Sequence, residues 1–202
     1  MNVTIYRISI CALALALVFS IQAGIPAQST QSPGQSAEHL RQSASGQQSS
    51  NEPQVSVIKP ADFSKFSARL KQEAKSGVVV LTFWARWCSP PCQKQINDLV
   101  LLDDVYRAKG VKIVAVNLTL DDYADELKYT ITFLSKSKAR FDNFLIVGDD
   151  ISGSGISKEW PEAKITALPS TLILNRQGNC VYFQRGLKPG ELVKAIESAL
   201  NP

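Results

Sequence analysis

The chain has 202 residues, 45% of them hydrophobic and 20% charged, a balance that excludes a disordered, collagen-like or multi-span membrane protein. Its 22 Lys and Arg against 18 Asp and Glu give a net charge of +4 with no basic run, so no nucleic-acid footprint is present. Four cysteines are too few for a disulfide-stapled mini-protein, and the single histidine, His39, lies in a polar stretch, which removes mechanisms that need an imidazole inside the fold.

In chain order, Arg7 precedes an apolar run from Ile8 to Ile21, and no further charge occurs before Glu38. Residues 1–27 therefore read as a signal peptide or an N-terminal membrane anchor, and either one exports the remainder of the chain. Residues 28–54 are rich in Ser, Gln, Gly and Pro and lack the apolar side chains that would offset the entropy of ordering, so they read as a disordered linker. From residue 55 to 202, apolar runs of strand length alternate with helical periodicity, the pattern of an α/β domain.

Within that domain, Phe63, Phe66, Leu70 and Ala74 predict a helix over 59–76 that stops at Gly77. The unbroken apolar run from Val78 to Ala85 predicts a strand buried on both faces. A helix is expected from Cys92 to Lys109, a strand over 111–118, a helix over 121–139, a strand over 141–147 and a short helix near 156–160. A hairpin over 171–185 and a helix over 189–200 close the chain.

The segment Phe83-Trp84-Ala85-Arg86-Trp87-Cys88-Ser89-Pro90-Pro91-Cys92-Gln93 puts two cysteines where a buried strand ends and a helix begins. Unpaired N–H groups and the positive end of a helix dipole stabilise a thiolate there. In an exported protein such a pair can cycle between dithiol and disulfide, the sulfur nearer solvent attacking. Cys88 is the expected nucleophile and Cys92, carried into the helix, the resolving thiol.

This segment resembles the active site of exported TlpA/ResA-type thiol-disulfide oxidoreductases, and a second segment, Ile165-Thr166-Ala167-Leu168-Pro169-Ser170-Thr171, strengthens the likeness. The resemblance implies a thioredoxin-like fold, a central mixed β-sheet with helices on both faces. It also implies disulfide exchange with protein thiols, an upstream membrane electron donor as a further partner, and a periplasmic or other extracytoplasmic location. Pro169 corresponds to the cis-proline that faces the cysteines in that family. Leu168, Pro169 and Ser170 would then present a substrate backbone, with Trp87 shaping the surface around the pair. No cofactor and no metal are expected.

Two departures from the family pattern stand out. Three residues, not two, separate the cysteines; were the stretch helical, the α-carbons would lie about 6.2 Å apart, near the long end for a disulfide, and the bond would be strained and easily reduced. The prolines argue against that geometry and place Cys88 on a bulged turn ahead of the helix. In addition, Thr82 occupies the position of the buried acid of thioredoxins, and Gln95 stands where several relatives carry Glu, so no carboxylate for proton transfer to Cys92 is evident.

Two other functions fit parts of the sequence. SCO-type copper chaperones share the fold and the three-residue spacing, and soft thiolates select Cu(I), but their third ligand is a histidine that residues 55–202 lack. A redox-silent binding module of the same fold is the other alternative. Cys180, in the alternating stretch Cys180-Val181-Tyr182-Phe183, reads as a small buried hydrophobe, with a regulatory disulfide as its alternative. The acids Asp121, Asp122, Asp125 and Glu126 read as a solvated helix start, and Asp149 and Asp150 as loop.

Overall fold

A computed structural model describes residues 53–120, 123–148 and 155–201. The signal or anchor segment, His39, nearly all of the linker, and Asp121, Asp122, Asp149 and Asp150 lie outside the described residues.

Six strands form one sheet: β1 (Val55–Ile58), β2 (Val78–Trp84), β3 (Val111–Thr119), β4 (Asp142–Val147), β5 (Ser170–Leu174) and β6 (Cys180–Arg185), in the order β1-β4-β3-β2-β5-β6. The first four in that order run parallel, while β5 and β6 are antiparallel to their neighbours, giving the expected mixed sheet. Five helices accompany it among the described residues: α1 (Phe63–Glu73), α2 (Pro91–Tyr106), α3 (Tyr123–Ser137), α4 (Ile156–Glu159) and α5 (Pro189–Leu200).

Strand β2 lies at the centre and every residue in it is buried, which is why its sequence is apolar almost without alternation. Its pleat sends Val79, Leu81 and Phe83 to one face, where they pack with Phe63, Phe66 and Leu70 of α1 and Ile156 of α4. Val78, Val80 and Trp84 point to the other face, against Cys92, Ile96 and Leu99 of α2, Leu134 of α3 and Ile196 of α5. Helices thus cover both faces. A 3-10 turn extends α2 to Lys109, and Gly110 ends it in the left-handed region at φ 82°, where a side chain would be strained.

Strand β1 is the one element that the sequence pattern does not reveal. It is a four-residue edge strand with Ser56 and Val57 exposed, and it forms by parallel pairing with β4 from Val55↔Asn143 to Ile58↔Ile146. So short and solvated a segment carries no periodicity; the β4 edge supplies its partner.

At the end of the sheet where β3 begins, Lys112 bridges Glu73 at 2.9 Å and Asp142 at 2.8 Å, and Arg69 donates to Glu73 at 2.7 Å. Burial pushes the Glu73 carboxyl upward, but the bonds from Lys112 and Arg69 outweigh it and leave the group below its ordinary value of 4.5. A carboxyl lowered by folding contributes stability that is present above its unfolded value and is lost as pH falls through its folded value. Denaturant melts between about pH 7 and pH 3 are therefore expected to show wild type losing stability below 4.5 more steeply than Glu73→Gln. Parallel profiles would remove this assignment.

Candidate active site

The strand-to-helix junction is built by a local change of backbone. After β2, Arg86–Cys88 form a 3-10 turn, Ser89 is extended at φ −64° and ψ 144°, and α2 starts at Pro91. Pro91 is tolerated as the first helical residue because the N–H it lacks would have no helical partner there. Cys88 thus lies on a separate turn ahead of the helix, and Cys92 lies in its first turn. Cys88 and Cys92 form a disulfide with α-carbons 5.6 Å apart, in the middle of the ordinary range. The stretched bridge expected of a continuous helix does not form, because the extended Ser89 breaks the helical path.

Cys88 is half-buried, whereas Cys92 is wholly buried against Trp84 and Ile96 on the α2 face of the sheet. Only one cysteine of the pair is therefore open to solvent. Trp87, next to it, is 55% exposed.

The antiparallel register brings the second segment to the same end of the sheet. Phe83 pairs with Ser170, so Leu168 and Pro169 lie beside the end of β2, from which the cysteine turn leaves. The Leu168–Pro169 peptide is cis, as the resemblance implies, and the Ser89–Pro90 peptide is cis as well. Pro169 is buried and its carbonyl accepts from the Gly186 N–H at 2.8 Å. Ser170 is buried too, its hydroxyl donating to the Ala167 carbonyl at 2.7 Å. Leu168 packs against both cores, although its backbone segment lies at the surface.

Beneath the cysteines lies a buried polar cluster. The Gln95 amide donates to the Thr82 hydroxyl at 2.7 Å and also to that of Thr171, and the two hydroxyls are 3.0 Å apart. Gln95 lies nearly one helical turn after Cys92, on the same side of α2. Its Oε1 has no partner among the described residues. Thr82 and Gln95 are thus joined to each other, and the cluster is neutral. Sequence reasoning found these two positions but not Thr171, which comes to them only through the β2–β5 pairing.

A second group of residues was not anticipated at all. Tyr129 of α3 receives the Arg86 guanidinium over its ring at 4.4 Å and a hydrogen bond from the Gln93 amide at 2.8 Å. Phe133, one turn on, lies 5.5 Å from Trp84. The helical spacing of Glu126, Tyr129, Thr130 and Phe133 signals one face of α3, but no local signal tells which residues that face meets.

Cys180 is a free thiol, half-buried, its Sγ 3.3 Å from the Tyr182 carbonyl. Burial, followed by the charge of Glu162, raises its pKa, so it is a poor nucleophile. Among the described residues no group of three or more His, Cys, Asp or Glu could hold a metal ion, and no helix is long and apolar enough to cross a membrane.

The Redoxin family profile matches residues 53–200, the span of nearly all the described residues. Thiol-disulfide oxidoreductase ResA of Halalkalibacterium halodurans is 26% identical over 136 residues, covering 65% of this chain and 66% of that protein, just under two thirds of its length. The protein of the same name from Bacillus cereus is 26% identical over 132 residues, covering 65% of this chain and 68% of the relative. Among solved structures, a putative thiol:disulfide interchange protein DsbE from Chlorobium tepidum superposes with a TM-score of 0.50 at 24% identity, over 64% of this chain and 84% of that one. A thioredoxin-family thiol:disulfide interchange protein from Chlorobium tepidum TLS gives 0.51 at 16% identity, over 65% and 85%, and both likenesses are of fold alone. The chain belongs to the Redoxin family, and its fold is thioredoxin-like.

Proposed function

We propose that the protein is exported, either freed by cleavage of its N-terminal segment or tethered through it, and exchanges disulfides with protein partners outside the cytoplasm through Cys88 and Cys92. The observation that carries this reading is the bridge between a half-buried and a fully buried cysteine at the start of α2. In the reducing direction, the Cys88 thiolate attacks one sulfur of a partner disulfide and the other partner sulfur leaves as a thiolate. The Cys92 thiolate then attacks the Cys88 sulfur, releases the second partner thiolate and closes the Cys88–Cys92 bridge. Two electrons pass to the partner. An upstream thiol donor at the membrane restores the dithiol by the same two steps, and with a more reducing partner the sequence runs in reverse.

The half-buried position of Cys88 supports its role as the attacking sulfur, and the unpaired N–H groups of the first turn of α2 favour the thiolate form. Leu168 is the residue proposed to meet the partner backbone. The neighbouring Pro169 and Ala167 carbonyls are already engaged by Gly186 and Ser170, which hold the bend. Trp87 offers an apolar surface beside Cys88.

Titration of the full chain in glutathione buffers, with mass spectrometry of the alkylated products, is expected to show one two-electron transition confined to Cys88 and Cys92. The reduced protein is expected to cleave insulin disulfides faster than free dithiol. A pair that never bridges, or a reduced protein no faster than its Cys88→Ala variant, would sink the assignment.

A further inference from the structure

Tyr129 touches both flanks of the cysteine turn. Its ring carries the guanidinium of Arg86, two residues before Cys88, and its hydroxyl accepts from the amide of Gln93, immediately after Cys92. These are the two ends of the segment that must keep its shape when the disulfide opens. Tyr129 is itself held by a rigid element. One turn on, Phe133 stacks parallel to it at 6.1 Å and meets Trp84, and on the adjoining strip of α3 the side chains of Glu126 and Thr130 accept from the buried Asn117 amide of β3 at 2.7 and 2.6 Å.

We propose that Tyr129 is a positioning residue for disulfide exchange, clamping Arg86 and Gln93 so that Cys88 and Cys92 stay within bonding reach in the dithiol state. This rests on the reading of Cys88 and Cys92 as the exchanging pair. The oxidised turn is closed by its own covalent bond, so the clamp adds little confinement there. The reduced turn has three residues between the sulfurs and no bond between them, and its freedom is limited by the contacts at its two ends. Restricting that freedom raises the effective concentration of the Cys92 thiolate at the Cys88 sulfur. The clamp therefore favours closing the bridge and speeds the step in which Cys92 displaces the partner, without supplying a proton or a charge to either sulfur.

The test measures, in the full chain, the equilibrium constant for closing the bridge against glutathione and the rate at which Cys92 resolves a preformed Cys88–glutathione mixed disulfide. For Tyr129→Ala, which removes both contacts, the constant and the rate are each expected to fall about tenfold; in the constant this is a shift of about 30 mV toward a more oxidising disulfide. Tyr129→Phe keeps the ring under Arg86 and is expected to lose only about threefold. Gln93→Ala should match Tyr129→Phe, and the double variant should lose no more than either single one, because both remove the same hydrogen bond.

A Tyr129→Ala protein that melts cooperatively yet keeps both quantities within a factor of about two of wild type would overturn the proposal. Should that variant fail to fold, Gln93→Ala and Arg86→Ala carry the test, since both side chains lie at least partly at the surface, and no change in either variant would overturn it. A wild-type chain inert toward glutathione would overturn the exchange reading itself, and this proposal with it. A reactive wild type with unshifted variants would overturn the positioning role alone.

Discussion

Replacing Cys92 with Ala is expected to convert the protein from a catalyst into a trap. In that variant Cys88 still attacks a partner disulfide, but no thiol stands within reach to break the mixed disulfide, so the covalent complex accumulates. Cys88→Ala is expected to form no complex, because the thiol left behind is wholly buried against Trp84 and Ile96. Both substitutions should lower insulin reduction by at least about a hundredfold, since each removes a sulfur that must form or break a bond in every turnover. The adduct separates them: non-reducing gels of cells expressing each variant should show dithiothreitol-sensitive high-mass species with Cys92→Ala and none with Cys88→Ala. The opposite pattern would exchange the two roles. Adducts with neither variant would count against the mechanism.

Trp160→Ala is expected to give the largest loss of stability of any single change away from the cysteines. The indole is 2% exposed, meets Phe63 edge-on at 6.0 Å between ring centroids, and lies in the core on the α1 face of the sheet, across β2 from Cys92. It joins a region where α4 has little else to hold it, since α4 has four residues and is anchored otherwise by Ile156 and by Glu159, which accepts from Ser67 at 2.7 Å and pairs with Lys71 at 3.0 Å. Removing a buried Trp leaves a large cavity and costs about 3–5 kcal/mol. Over a folded part of this size a loss of that order lowers Tm by about 10 °C. Trp160→Phe should cost less than half as much, because the Trp160 Nε1 has no acceptor among the described residues, and the phenyl ring removes an unmet donor while filling much of the space. Thermal melts of both variants check this. Equal losses would mean that the indole N–H meets a water or another unseen acceptor, and a negligible loss for Ala would show that the site collapses readily. Because Trp160 faces the opposite core, the glutathione equilibrium of folded Trp160→Ala should stay at the wild-type value.

Element order was readable from the chain itself because burial leaves local marks. The two-sided burial of β2 appears as an unbroken apolar run, the one-sided burial of α1 as Phe63, Phe66 and Leu70 at helical spacing, and the end of the α2 extension as Gly110. The two cysteines were equally visible, since the chemistry they carry lies in their own side chains and in their place at a helix start. Strand β1 was not visible, because half of it faces solvent and its only justification is the β4 edge.

The separation of the sulfurs also depended on more than spacing. An ideal helix predicts a longer path than the 5.6 Å found between the α-carbons; the prolines announced a bulged turn, but its form, a 3-10 turn followed by an extended serine, was not legible in the spacing. The sequence alone therefore determined which residues are candidates to react and on what kind of scaffold. Tertiary structure decided which thiol is shielded, that Thr82, Gln95 and Thr171 form one neutral cluster, and that Tyr129 grips both ends of the cysteine turn. The physical reason is distance along the chain: Gln93 and Tyr129 are 36 residues apart and Gln95 and Thr171 are 76 apart, so their contacts exist only once the sheet has brought α2, α3 and β5 together.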